Sequence, residues 1–188
     1  MCRSFEDRPI PTELVDRMLA HARRAPSAGF SQGWAFVVLE GHEQTAPFWE
    51  RVSEPSWRSE PSWPGLLRAP VVVLPLAHKR TYLDRYAEPD KAGFGRQHES
   101  AWPVPYWLVD TAMATMLLLL SATDLGLGAL LFGLVRGEDE LLADLGVPEG
   151  HKPIGAVALG WPDGNDRPSP SLARGHRPAT EVVHRGRW

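Results

Sequence analysis

Residues 25–39 read A-P-S-A-G-F-S-Q-G-W-A-F-V-V-L, and this stretch decides the fold. A helical pattern precedes it: Leu14, Val15, Met18, Leu19 and Ala22 recur on one helical face, with Pro11, Thr12 and Glu13 as the start. Residues 34–40, Val- and aromatic-rich, read as a strand. Between them lies a short loop of Pro, Ser, two Gly and Gln, whose small side chains let a ligand lie flat against the backbone.

Working outward, residues 44–52 read as a short helix, and residues 69–76 (A-P-V-V-V-L-P-L) as a strand buried on both faces. Residues 106–125 form the longest element, roughly 30 Å if fully helical. A membrane span fits its length. Asp110, Thr111, Thr115, Ser121, Thr123 and Asp124 interrupt it, so a central helix buried on all sides is the better expectation, capped by Gly126. A short strand at 128–133, a helix at 138–145 and a strand at 154–159 complete the pattern. The alternation argues for one α/β or α+β domain over residues 1–188.

Two segments are irregular. S-E-P-S-W occurs twice, at 53–57 and 59–63; a surface loop is the favoured reading, and a lid carrying Trp57 or Trp63 the sharper one. Residues 88–105 are too long for a structureless connection and read as a lid or an interface.

Composition narrows the function. Lys and Arg number 20 against 23 Asp and Glu, a net charge of −3 with no basic face for nucleic acid and no polybasic stretch for a membrane. Cys2 is the one cysteine, so no disulfide or Cys-based metal site forms within a chain, and a reducing, cytoplasmic setting is expected. Arg3, Glu6, Asp7 and Arg8 break any leader-like apolar run. Seven scattered His give no ligand spacing, so no metal is expected.

Gly29-Phe30-Ser31-Gln32-Gly33 matches G-x-S-x-G, but a nucleophile elbow follows a strand and precedes a helix, and here the order is reversed. Gly126, Gly128 and Gly133 lack the spacing of a dinucleotide fingerprint. What survives is dispersed: Arg3; the loop of Pro26, Ser27, Ala28 and Gly29; Leu131, Phe132 and Gly133; and Arg174, His176 and Arg177. Arg side chains from both ends of the chain suit bidentate contact with one phosphate.

These pieces, in order, resemble the nitroreductase-like flavoprotein family. The matches are R-S-F at 3–5, A-R-R-A-P-S at 22–27, Q-G-W-A-F-V-V at 32–38, and the long helix leading to G-L-G-A at 126–129. L-G-V-P at 145–148, V-A-L-G-W-P at 157–162 and the closing H-R-P-A-T-E-V-V follow. The resemblance implies an α+β sandwich with a central mixed or antiparallel sheet and a long buried helix, in an intertwined homodimer with FMN at the interface. It implies that Arg3 reaches the flavin's pyrimidine side. Pro26, Ser27 and Ala28, with Gly29 and Gln32 beside them, would line the ring and ribityl chain. Leu131, Phe132 and Gly133 would offer backbone near the reactive nitrogen, and Arg174, His176 and Arg177 would hold the phosphate.

It further implies ping-pong hydride transfer from NAD(P)H through FMN to a small acceptor of nitroaromatic or quinone type, with no catalytic side chain required. Phe30, Trp63, Trp102 and Tyr106 are the expected acceptor-pocket residues. The chain departs from the family pattern at Met1, where a Ser is usual, at Phe30, often Asn, and at Gly33, usually Pro. Two further readings stay open: a flavin-fragmenting enzyme like dimethylbenzimidazole synthase, and a non-catalytic flavin or deazaflavin binder.

Overall fold

The computed structural model describes residues 1–188. The first amphipathic stretch folds as α1 (Thr12–Ala22), burying Val15, Met18 and Ala22. After the loop come β1 (Trp34–Glu40), α2 (His42–Val52) and a one-turn helix α3 (Pro55–Ser59). Then follow β2 (Val71–His78), α4 (Lys79–Arg85), α5 (Tyr106–Asp124), β3 (Gly128–Phe132), α6 (Glu138–Asp144), β4 (His151–Pro153), β5 (Ala156–Gly160) and α7 (Ala179–Val182). The class is α+β, and every strand pair is antiparallel.

The apolar run at 71–78 is the central strand. β2 pairs with the whole length of β1, from Trp34↔Ala77 to Glu40↔Val71. On its other side it pairs with β5 at residues 71–73 and with β4 at 76–78; β3 extends the sheet beyond β5. Pro75, which has no N–H to give, falls at the change from β5 to β4, where it breaks no ladder bond on that side.

Successive side chains of β2 point to opposite faces. Val72, Leu74 and Leu76 enter one apolar cluster with Phe5, Phe48, Trp49 and Leu141; Val71 and Val73 enter another with Val15, Met18 and Leu118. α2 and α6 therefore cover one side of the sheet, and α1 and α5 the other.

The expectation that the long helix is buried on all sides is corrected. Its buried face carries the polar residues Asp110, Thr111, Thr115 and Ser121 together with Trp107, Ala114, Leu118 and Ala122. An apolar stripe of Val109, Met116 and Leu120 is exposed instead, Met116 and Leu120 by 52% and 53%. The polar groups are tolerated inside because each has a hydrogen-bond partner. Thr111 Oγ1 donates to the Trp107 carbonyl (2.7 Å), Thr115 Oγ1 to the Thr111 carbonyl (2.8 Å), and Ser121 Oγ meets His21 Nδ1 (2.8 Å).

α5 is long and apolar enough to cross a membrane on length and composition; here it packs against α1 and the sheet. Gly126 (φ 75°) ends it in the left-handed region, with the Leu127 N–H reaching the Ala122 carbonyl and the Gly126 N–H that of Thr123.

The two copies of S-E-P-S-W fold differently. The first opens α3 with Pro55 at its start, and the second bends into a 3₁₀ turn at Pro64–Arg68. Residues 88–105 hold two 3₁₀ turns, and the second delivers Trp102 into a cluster with Tyr82, Tyr86, Tyr106 and Trp107.

Candidate active site

The N-terminal residues run against the end of the sheet. The Cys2 N–H bonds the Ala129 carbonyl (2.9 Å), the Phe5 N–H that of Gly65 (3.2 Å) and the Glu6 N–H that of Trp161 (2.8 Å). The Phe5 ring is fully buried in the space that Gly128 and Gly160 leave by having no side chain; a Cβ there would stand 3.2 Å and 2.7 Å from ring carbons. This plug holds Arg3 beside the end of β3.

Arg3 and Leu131, Phe132 and Gly133 line one cavity of about 620 Å³. Its walls are apolar and aromatic: Trp49, Trp57, Trp63, Val52, Leu66 and Leu130. Trp49 stacks on Phe132 (5.5 Å between centroids, 13° between planes), and the Arg3 guanidinium sits 5.3 Å from the Trp63 ring centre. Arg3 has no carboxylate partner, whereas Arg136 is paired with Glu54 at 2.8 Å. Gly133 is unobstructed: a Cβ there would meet nothing within 4 Å, which leaves its backbone open to a ligand.

A smaller polar cavity adjoins through Arg3 and Trp63, with Arg68, Asp163, Asp166 and Arg167 around it. The Asn165 backbone N–H, and after it the Ser4 hydroxyl and Arg68, hold the Asp163 carboxyl below its ordinary value of 3.8. Such a carboxyl stabilises the fold above its unfolded value and loses that contribution as pH falls through the folded one. Asp163→Asn is therefore expected to lower the denaturant midpoint at pH 7, with the deficit narrowing below pH 3.8. A deficit of the same size at pH 3 and pH 7 would refute the linkage.

The loop of Pro26–Gly29 lies elsewhere, against α4 and α5. The Ala28 N–H donates to Asp110 Oδ2 (2.7 Å), the Gln32 N–H to Ser27 Oγ (2.9 Å), Ser31 Oγ to the Ala28 carbonyl (2.6 Å), and Arg85 Nε to the Gly29 carbonyl (3.0 Å). Gly29 (φ 63°) is left-handed, and so are Phe30 (φ 56°) and Gln32 (φ 52°). For side-chain-bearing residues that conformation costs about 1–3 kcal/mol each and persists only where the surroundings enforce it. Phe30 is held out into solvent, 74% exposed.

Tyr82, fully buried, donates its hydroxyl to the same Asp110 oxygen (2.9 Å). Burial first, and the Asp110 hydrogen bond second, push its phenol well above the usual value, so it stays a donor across physiological pH.

The residues expected to hold a flavin thus fall in three places within one chain. Arg3, Leu131, Phe132 and Gly133 share the large cavity with Trp63; Pro26, Ser27, Ala28, Gly29, Phe30 and Gln32 share the loop. Arg174, His176 and Arg177 line a third cavity in the exposed C-terminal segment, where Arg177 Nε also meets Glu181 at 3.3 Å. The convergence of Arg3 and Arg177 expected from the sequence is not found within one chain: the cavities that Arg3 lines include no tail residue from 171 onward, and the one that Arg177 lines is formed by residues 171–178 alone.

Trp102 and Tyr106 do not line the large cavity. Trp102 is buried with its Nε1 satisfied by the Arg96 carbonyl (2.9 Å), and its ring packs on Tyr106. Sequence reasoning missed Trp49, whose helical spacing reads as core, and Asp110, which reads as an interruption of an apolar helix. The S-E-P-S-W repeat was the available signal for Trp57.

The nitroreductase family model matches residues 1–161. A protein of Archaeoglobus fulgidus, provisionally named an NADH dehydrogenase/NAD(P)H nitroreductase, is 28% identical over 99% of this chain and 92% of its own. The crystal structure of a nitroreductase family protein from Streptococcus pneumoniae superposes with a TM-score of 0.74 at 19% identity, over 98% of this chain and 94% of that one. An oxidoreductase containing FMN gives a TM-score of 0.70 at 24% identity, over 100% of this chain and 87% of that one.

Proposed function

The chain belongs to the nitroreductase family, and from that premise we propose that it is a homodimeric FMN-dependent oxidoreductase. Its electron donor is NAD(P)H, and its acceptor is a small molecule of nitroaromatic or quinone type. The observation that carries this reading is the division of the expected flavin set. Arg3, Phe132 and Gly133 face one cavity while the Pro26–Gly29 loop is built on α4 and α5, and the exposed apolar stripe of α5 offers a surface for a second copy. Two chains facing each other would supply both halves to each site.

The residues present fit such a cofactor. The cavity of about 620 Å³ is of ligand-binding size, its aromatic walls suit a planar ring, and the backbone at Gly133 is open. When bound, FMN supplies the chemistry of accepting a hydride from a reduced nicotinamide and passing the electrons to a second substrate. The chain's own groups bind and orient. Arg3, free of any carboxylate and fixed over Trp63, directs positive charge into the cavity. Trp49, Trp57, Leu66 and Leu131 offer apolar walls that would displace water when a ring is seated against them, which would strengthen the polar contacts beside it.

The phosphate belongs with Arg174, His176 and Arg177. Three basic residues cluster there with one carboxylate near them, Glu181, 3.3 Å from Arg177, whereas two, Asp163 and Asp166, stand in the cavity beside Arg167. Arg177→Ala is expected to weaken FMN binding at least tenfold and Arg167→Ala less than threefold, by fluorescence titration. Equal losses would remove Arg177 from the phosphate site.

The reading is tested by heating the purified protein and recording the absorbance and mass of what is released. A colourless protein that also takes up no added FMN overturns it. With FMN bound, anaerobic NADH or NADPH should bleach the visible band; no bleaching with either would remove the nicotinamide donor.

A further inference from the structure

We propose that Asp110, with Tyr82 beneath it, is the positioning residue of the 27–32 loop, setting the backbone that this loop offers to the cofactor; the cofactor part rests on the function proposed above. Asp110 is 1% exposed on the buried face of α5, and its Oδ2 accepts two hydrogen bonds, from the Tyr82 hydroxyl (2.9 Å) and the Ala28 N–H (2.7 Å). No Arg, Lys or His forms an ion pair with it. A buried carboxylate without a counter-cation depends on the donors that reach it. If the loop moves away, one of its two donors is lost. The loop and the carboxylate therefore hold each other.

Gly33 makes room for the device. A side chain there would collide with the Tyr82 ring, and one at Gly29 would come within 2.7 Å of the Tyr86 ring. The two glycines let two tyrosines of α4 and its C-terminal end lie under the loop, and Tyr82 carries its hydroxyl to Asp110. Two residues with side chains, Phe30 and Gln32, are kept left-handed above this support. Arg85, on the same helix, grips the Gly29 carbonyl from the side.

The test compares Asp110→Ala, Asp110→Asn and Tyr82→Phe with wild type. Amide hydrogen exchange is read along the flavin-free chain, and FMN affinity by fluorescence titration. In D110A the amides of residues 27–32 are expected to exchange at least tenfold faster while those of the central strand keep their protection, and FMN binds at least tenfold more weakly. D110N, whose amide oxygen accepts the same two donors, should recover loop protection and affinity to within threefold of wild type. Y82F should fall between them.

Unchanged exchange at 27–32 in D110A overturns the proposal, and so does faster exchange spread evenly over the chain. Should D110A not fold, Y82F decides: loop-confined acceleration supports the proposal and none overturns it. A wild-type protein that takes up no FMN would sink the cofactor reading alone, because the exchange measurement needs no flavin.

Discussion

Met116→Glu combined with Leu120→Glu is expected to yield a monomer that has lost most of its affinity for FMN. Both side chains stand on the outward stripe of α5 and are about half exposed in one chain, so each Glu is solvated there and the fold is kept. In the proposed dimer the same stripe meets its symmetry copy, and four carboxylates would enter an apolar contact. Each buried ion costs several kcal/mol, and about 4 kcal/mol in all already weakens association roughly a thousandfold. Light scattering after size exclusion reads the mass, and fluorescence titration reads FMN. A variant that stays dimeric would remove α5 from the interface; a monomer that binds FMN as tightly as wild type would show that one chain holds the whole site.

Phe5→Ala has the largest expected effect on stability. The ring is fully buried, and it occupies the volume vacated by two glycines of neighbouring strands, Gly128 and Gly160. Backbone on three sides (Gly65, Trp161, Ala129) fixes the segment around it, so the cavity left by truncation collapses poorly. A loss of about 3–5 kcal/mol follows. For a domain of this length each kcal/mol lowers Tm by about 2–4 °C, a total of roughly 6–20 °C. Because the same ring anchors the segment that carries Arg3, FMN affinity should fall as well. Phe5→Leu, which refills part of the space, should recover much of both. A Tm within 2 °C of wild type for F5A would refute the plug.

Much of the fold was legible in the chain because local patterns decide local structure. The face made by Val15, Met18 and Ala22 fixed α1, and the β-branched run at 71–73 marked the central strand, since only a strand covered on both sides is apolar at every position. Gly126 marked the end of α5 because few other residues accept its backbone angle. The orientation of α5 was not legible. Its apolar residues go all round, so composition could not say which side meets the sheet. The side with Asp110, Thr115 and Ser121 was chosen because partners there, Tyr82, the loop amide and His21, satisfy the polar atoms.

The site divides the same way. Residue types suited to a flat cofactor and a phosphate were readable at Arg3, the Pro26–Gly29 loop, Phe132, Gly133 and the Arg174–Arg177 cluster. Their placement was not. The cavity wall of Trp49, Trp57 and Trp63 arises from α2, α3 and a turn, and identical S-E-P-S-W copies took different shapes because their neighbours differ. The sequence by itself determined the longer elements, though not α3, α4, β4 or α7, together with the family and the chemistry its side chains can offer, since these depend on short-range pattern and residue type. Only the tertiary structure decided which side of α5 faces outward, that Trp102 is core, and that the loop stands on Tyr82 and Asp110. Those outcomes depend on burial and on hydrogen bonds between residues tens of positions apart.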